Sequence, residues 1–147
     1  MKYKIRPYEE KDKNFIIDAW TKSVRASKAY RTVPNEVYYE NMTLLINFHL
    51  ENSRTHIAYQ TLEDGKEQYY GFISSNKDTL LFAYVKGLFR ELGIFTRMFD
   101  ETCSGLSYYA FKTQYSKVMY KKSLWYNPFS FFKGYKEDVN ESKESDI

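Results

Sequence analysis

The hydrophobic and polar positions change period several times along the chain, and each change marks an element. Residues 3–8 alternate Tyr3, Ile5 and Pro7 against Lys4 and Arg6, the two-residue period of a short edge strand ended by Pro7. From Asp12 onward, Phe15, Ile16, Ala19, Trp20 and Val24 recur at helical spacing and predict a helix of about four turns. A second helix is expected from Pro34, a residue suited to a first turn, with Val37, Tyr38, Met42, Leu45, Ile46 and Phe48 on its apolar side. The period then changes. Residues 55–62 and 68–74 flank Glu63-Asp64-Gly65-Lys66, a turn signal, and read as an antiparallel hairpin. Residues 79–86 are β-branched, aromatic and nearly all apolar, as in a central strand buried on both faces. A helix is predicted over 93–103, a strand over 106–111, a short helix over 114–122 and a last extended segment over 124–132. The order β-α-α-β-β-β-α-β-α-β describes a single α+β domain, with a mixed, mostly antiparallel sheet and helices on both faces.

Composition sharpens this picture. Aromatic residues make up 19% of the 147, with 15 Tyr and 11 Phe, too much apolar surface for a disordered chain. The one cysteine, Cys103, cannot form an internal disulfide, which excludes a disulfide-stapled scaffold and fits a reducing compartment. The longest apolar run is the six residues from Leu80 to Val85, against roughly 20 for a membrane span. The first residues carry no apolar stretch of the kind a secretory signal needs. The expectation is a cytoplasmic protein, in the host cytoplasm if phage-encoded.

Charge divides the chain in two. Residues 136–147 hold two Lys and five acidic residues, no aromatic and two aliphatics, and read as an acidic, disordered tail. The overall net charge is +3, so residues 1–135, the expected folded domain, carry +6.

The most informative segment runs from Leu81 to Phe95. A buried strand leaves through Lys86, a loop turns at Gly87, and a helix begins near Glu91 to Gly93. Such a junction gathers unpaired N–H groups and the positive end of a helix dipole, which suits a phosphate or pyrophosphate, and Arg90 adds a charge beside it. Here the chain resembles the GNAT superfamily of acyl-CoA-dependent acyltransferases, whose acetyl-CoA loop reads R/Q-x-x-G-x-G/A at the helix after the fourth strand. Arg90 and Gly93, with the flanking Tyr84-Val85 and Ile94, match, and the element order matches over residues 3–132. The motif's last small residue is Phe95 in this chain. The resemblance implies that acetyl-CoA is the co-substrate. Its pyrophosphate would be held at Arg90, Glu91, Leu92, Gly93, Ile94 and Phe95, and its pantetheine arm would pair with Tyr84, Val85 and Lys86.

A second match follows. In the same superfamily the helix after the fifth strand often ends in a pattern like Y-E-K-x-G-F, whose Tyr protonates the departing CoA thiolate. The stretch Val118-Met119-Tyr120-Lys121-Lys122-Ser123 places Tyr120 there, and a phenol with an ordinary pKa near 10 can supply that proton. No residue type selects a general base; Glu67, Asp78 and Glu91 are the nearest candidates. The ending Tyr126-Asn127-Pro128-Phe129 is similar to short phage-encoded GNAT-like proteins, a group that includes the Mom-type DNA-adenine modification enzymes. The partners implied are acyl-CoA and an amine acceptor on a small molecule, a protein or a nucleic acid, with a homodimer allowed and no membrane. The alternative is a non-catalytic GNAT-like phage accessory, virion-associated or nucleic-acid-binding protein.

Other patterns are weaker. Lys22, Arg25, Lys28 and Arg31 recur every three residues and form a basic stripe through the end of the first helix. His49 and His56 stand seven apart with no third ligand at metal spacing, so no metal site is expected. Cys103 has no partner pattern for a nucleophile.

Overall fold

The computed structural model describes residues 2–113 and 116–131. Six strands form one sheet in chain order: β1 (Lys4–Pro7), β2 (Arg54–Thr61), β3 (Glu67–Asn76), β4 (Thr79–Val85), β5 (Tyr108–Tyr109) and β6 (Trp125–Tyr126). The first four are antiparallel to their neighbours, whereas β4–β5 and β5–β6 are parallel. The helices are α1 (Lys13–Arg25), α2 (Asn35–Asn52), α3 (Ile94–Thr102) and α4 (Lys117–Lys121). The order of strands and helices is the one the hydrophobic pattern predicts, and the fold is a single α+β domain. No helix among the described residues is long and apolar enough to cross a membrane.

The alternation of the strands feeds two cores. On one face Ile57, Phe72, Leu81, Phe82 and Phe111 pack with Ile16, Trp20 and Val24 of α1 and with Tyr38, Met42 and Ile46 of α2. On the other, Ala58, Tyr70, Ile73, Leu80 and Tyr109 pack with Ile94 and Met98 of α3. Two bulges adjust this alternation. Ser74 faces Phe82 and Ser75 faces Leu80, so Leu81 is supernumerary in β4. That extra residue allows Leu81 and Phe82 to share the α1/α2 face. The β2–β3 turn closes as the sequence indicates, with Gly65 at φ 84° and its N–H donating to the Leu62 carbonyl.

Several expectations need correction. Val37 and Phe48 are exposed, because the buried stripe of α2 runs through Tyr38, Met42, Ile46 and His49, one helical face that leaves both of them off-axis. The strands expected over 106–111 and 124–132 shrink to two residues each, since β5 meets β4 only at Thr79 and Leu80. Strand β4 is fully buried only in its first half; Ala83, Tyr84 and Val85 are partly exposed. The basic stripe does not form on one helix. Helix α1 stops at Arg25, whose guanidinium donates to the carbonyls of Tyr30 and Val33 and to Asn35 Oδ1, clamping the connection to α2. The expected tail, 136–147, lies outside the described residues.

At the opposite edge of the sheet, Arg6 of β1 reaches Asp12 (2.7 and 2.8 Å) and Glu67 (2.6 Å), and Tyr69 donates to Asp12 at 2.7 Å. Burial raises the Asp12 carboxyl, but the bonds from Arg6, Tyr69 and the Glu9 N–H outweigh it and hold the group below the usual carboxylate range.

Candidate functional site

The site grows from a strand edge that no other strand among the described residues covers. Lys86 N–H donates to the Tyr70 carbonyl at 2.8 Å, so alternate residues of β4 bond to β3. The Tyr84 carbonyl belongs to that set: a Cβ placed on Gly71 would lie 2.2 Å from it, which is why glycine stands opposite Val85. Ala83 and Val85 therefore turn their N–H and C=O groups to the other edge. There, among the described residues, β5 pairs only with the start of β4, and its continuation bonds back no further than Ala110 N–H to the Leu80 carbonyl. Past that point the two strands part.

The gap is a cavity of about 380 Å³ that reaches both faces of the sheet. Leu80 to Val85 form its floor, Ser23 of α1 borders it on one face, and Gly93 to Thr96 with Met119 border it on the other. Tyr109, Phe111, Thr113 and Ser116 complete the far wall.

The loop from β4 to α3 follows from its residues. Phe89 stacks on Tyr70 at 4.0 Å and 17°, pinning a 3-10 turn at Gly87–Phe89. Glu91 and Gly93 are left-handed, at φ 65° and 79°, and turn the chain into α3. A Cβ on Gly93 would meet nothing within 4 Å, so the backbone angle selects glycine and the space before the turn stays open. The first bond at the start of α3 is Arg97 N–H to the Gly93 carbonyl, which leaves the N–H groups of Ile94, Phe95 and Thr96 outside the helical ladder.

Of the residues singled out in the sequence, Tyr84, Val85, Arg90, Glu91, Gly93, Ile94 and Phe95 all border the cavity. Leu92 is exposed and does not, and Lys86 stands just beyond it with its Nζ 5.5 Å from the Phe15 ring. Phe95 is half-buried and packs on Phe99, so its ring is partly drawn into the α3 core. Arg90 takes a position the sequence does not suggest: its Nε donates to the Val85 carbonyl at 2.8 Å and its guanidinium lies over the Tyr84 ring. The strand-edge acceptor is thus already occupied by the loop's own arginine. Tyr120 lies on α4, next to Val118 and Met119 of the cavity wall; its side chain is outside the described residues. Among the described residues Glu91 is the one carboxylate on the lining, whereas Glu67 is committed to Arg6 and Lys11.

The residue missed in the sequence is His49. It is buried, stacked on Trp20 and edge-on to Phe111 and Phe131, and burial pushes its pKa down to about 4. Its four-residue offset from Leu45 and three from Ile46 is the signal that could have placed it on the buried stripe. Among the described residues, no three His, Cys, Asp or Glu side chains gather as metal ligands.

Comparison with family models and with curated proteins gives no match. Solved structures do match. A possible acetyltransferase from Clostridium difficile 630 is 17% identical, with a TM-score of 0.55 over 86% of this chain and 92% of that one. A candidate acetyl transferase from Pyrococcus furiosus is 15% identical, with a TM-score of 0.54 over 82% and 91%. An acetyltransferase of the GNAT family from Staphylococcus aureus Mu50 is 14% identical, with a TM-score of 0.47 over 68% and 63%. The chain spans just under two thirds of that protein's length, as it does for two other matched structures. At such identities the likeness concerns architecture alone: the chain shares the α+β fold, with a six-stranded mixed sheet, of the Clostridium difficile and Pyrococcus furiosus structures.

Proposed function

We propose that this protein is a GNAT-type acyltransferase that moves an acetyl group from acetyl-CoA to an amine. The observation that carries the reading is the edge of β4 at Ala83 and Val85, which no strand among the described residues covers and which opens into a cavity that ends at the left-handed turn before α3. An amide-bearing arm fits such an edge as an added strand. The N–H groups of residues 94–96 suit a pyrophosphate at the helix start. In this reading Tyr84, Val85 and Lys86 accompany the arm, and Arg90 to Phe95 surround the phosphates. Arg90 would exchange its bond to the Val85 carbonyl for the incoming ligand.

The acceptor amine forms the new C–N bond as the C–S bond breaks. The Val85 N–H, on the open edge, donates to the carbonyl oxygen as charge develops, and Tyr120 gives a proton to the departing thiolate. Kinship with the phage-encoded branch rests on the loop Val85-Lys86-x-x-x-Arg90 and on the segment Tyr126-Asn127-Pro128-Phe129, which forms the end of β6 and the turn after it.

The test is a thermal shift with acetyl-CoA and free CoA. At a hundred times Kd, mass action adds about 2.7 kcal/mol and raises Tm by roughly 5–10 °C. No shift at millimolar ligand overturns the proposal and leaves the non-catalytic alternative. If CoA binds, Tyr120→Phe should lower turnover without weakening binding; an unchanged rate removes Tyr120 from the chemistry.

A further inference from the structure

The outward faces of the three longer helices differ. Helix α1 turns Asn14, Asp18 and Lys22 to solvent, and α3 turns Thr96, Arg97, Asp100 and Glu101. Helix α2 instead shows apolar side chains: Val37 is 49% exposed, Leu44 63% and Phe48 38%, away from the buried stripe of Tyr38, Met42, Ile46 and His49. Apolar stripes on two sides of a helix are the pattern of one covered on both. With Asn41 the outer residues stand four, three and four apart, the spacing of a seam that takes a second helix. The seam runs about 16 Å from Val37 to Phe48.

One flank of this seam is acidic. At about 3.6 residues per turn, Glu36, Glu40 and Glu51 fall on one side of it, and Asn41 and Asn52 on the other. Helix α2 holds no Lys or Arg, and none of the three glutamates takes part in an ion pair among the described residues. Going beyond acyl transfer, we infer that this face docks a basic amphipathic helix of another protein. Its apolar stripe meets Val37, Leu44 and Phe48, and its Lys or Arg flank meets Glu36, Glu40 and Glu51. A second copy fits less well, because two α2 helices paired antiparallel about a two-fold bring their glutamate flanks together. Among the described residues α2 contributes nothing to the cavity lining, so this face is separate from the candidate site.

Fluorescence anisotropy tests this with two labelled synthetic helices of about 18 residues, alike in a leucine seam and flanked on one side by lysines or by glutamates. The lysine-flanked helix should bind about tenfold tighter, and the Glu40→Gln/Glu51→Gln double variant should erase that preference. Leu44→Gln should weaken binding about tenfold while Tm holds, since Leu44 is exposed and glutamine is a good helix former. Leu88→Gln removes a leucine that is 91% exposed outside α2 and should leave peptide binding unchanged, which separates a docking face from general stickiness. No binding by either helix, no preference between them, or equal weakening by Leu88→Gln overturns the inference. So does a concentration-dependent dimer in sedimentation velocity that Leu44→Gln disperses, which makes a second copy the occupant. None of these readouts involves CoA, so the acyltransferase proposal stands or falls separately.

Discussion

The two halves of β4 share a strand and differ in almost everything else. Thr79 to Phe82 are buried with helices on both faces, and Thr79 and Leu80 have strand partners on both edges; Ala83 to Val85 are partly exposed, with β3 on one edge and an open cavity on the other. The first half is core, and the second carries the candidate site. What separates them begins where β5 leaves at Leu80, just before the bulge at Leu81. A polar strand edge can thus be presented inside an otherwise apolar sheet without a polar side chain in the strand.

This contrast can be broken most severely from the buried half. Phe82→Ala should cost about 3–5 kcal/mol, because Phe82 stacks on Trp20 at 5.0 Å within the α1/α2 core. Tyr84→Ala, in the open half, should cost clearly less in chemical denaturation; equal losses would erase the distinction. Next comes acid. His49 is neutral in the fold with a pKa of about 4, below its unfolded value near 6.5, so folding favours the deprotonated form. Its contribution is therefore intact above pH 6.5 and lost as pH falls toward 4, up to about 3 kcal/mol. Urea midpoints that fall across this window in the native chain, and fall less in His49→Phe, are the expected result.

Gly71→Ala attacks the junction itself. Its Cβ would meet the Tyr84 carbonyl at 2.2 Å and Val85 Cα at 3.1 Å, so β3 and β4 must separate where the site begins. A loss of about 2 kcal/mol with weakened CoA binding is expected, and a neutral stability change would show that the edge is not held from behind. Smallest in stability is Arg90→Ala, within about 1 kcal/mol, since its bond to the Val85 carbonyl is partly exposed. Its effect on CoA affinity, read by calorimetry, separates a phosphate contact, which weakens binding, from a residue that merely covers the edge, whose loss strengthens it.

The element order was legible because it depends on local periodicity: Pro34, Gly65 and the apolar run 80–85 announce their roles within a few residues. The lengths of β5 and β6 were not, because a strand lasts only as long as its neighbour stays alongside. The same holds for cations. Arg25 and Arg90 look alike in sequence as basic residues beside turns, yet each folds back onto backbone carbonyls whose positions depend on the loop around them. The loop from Arg90 to Gly93 was readable from its residue types; that Leu92 faces solvent and Phe95 leans into the α3 core depends on packing beyond the motif.

The bulge has a consequence for chain length. Because Leu81 is the extra residue, removing it would leave Leu80 and Phe82 on opposite faces and every later side chain of β4 where it is. Parity would survive, and the bend a bulge imposes would go. The opening beside Ala83 and Val85 is thus tied to a count of residues between two fixed pairings, and a deletion there could close it without altering any remaining side chain.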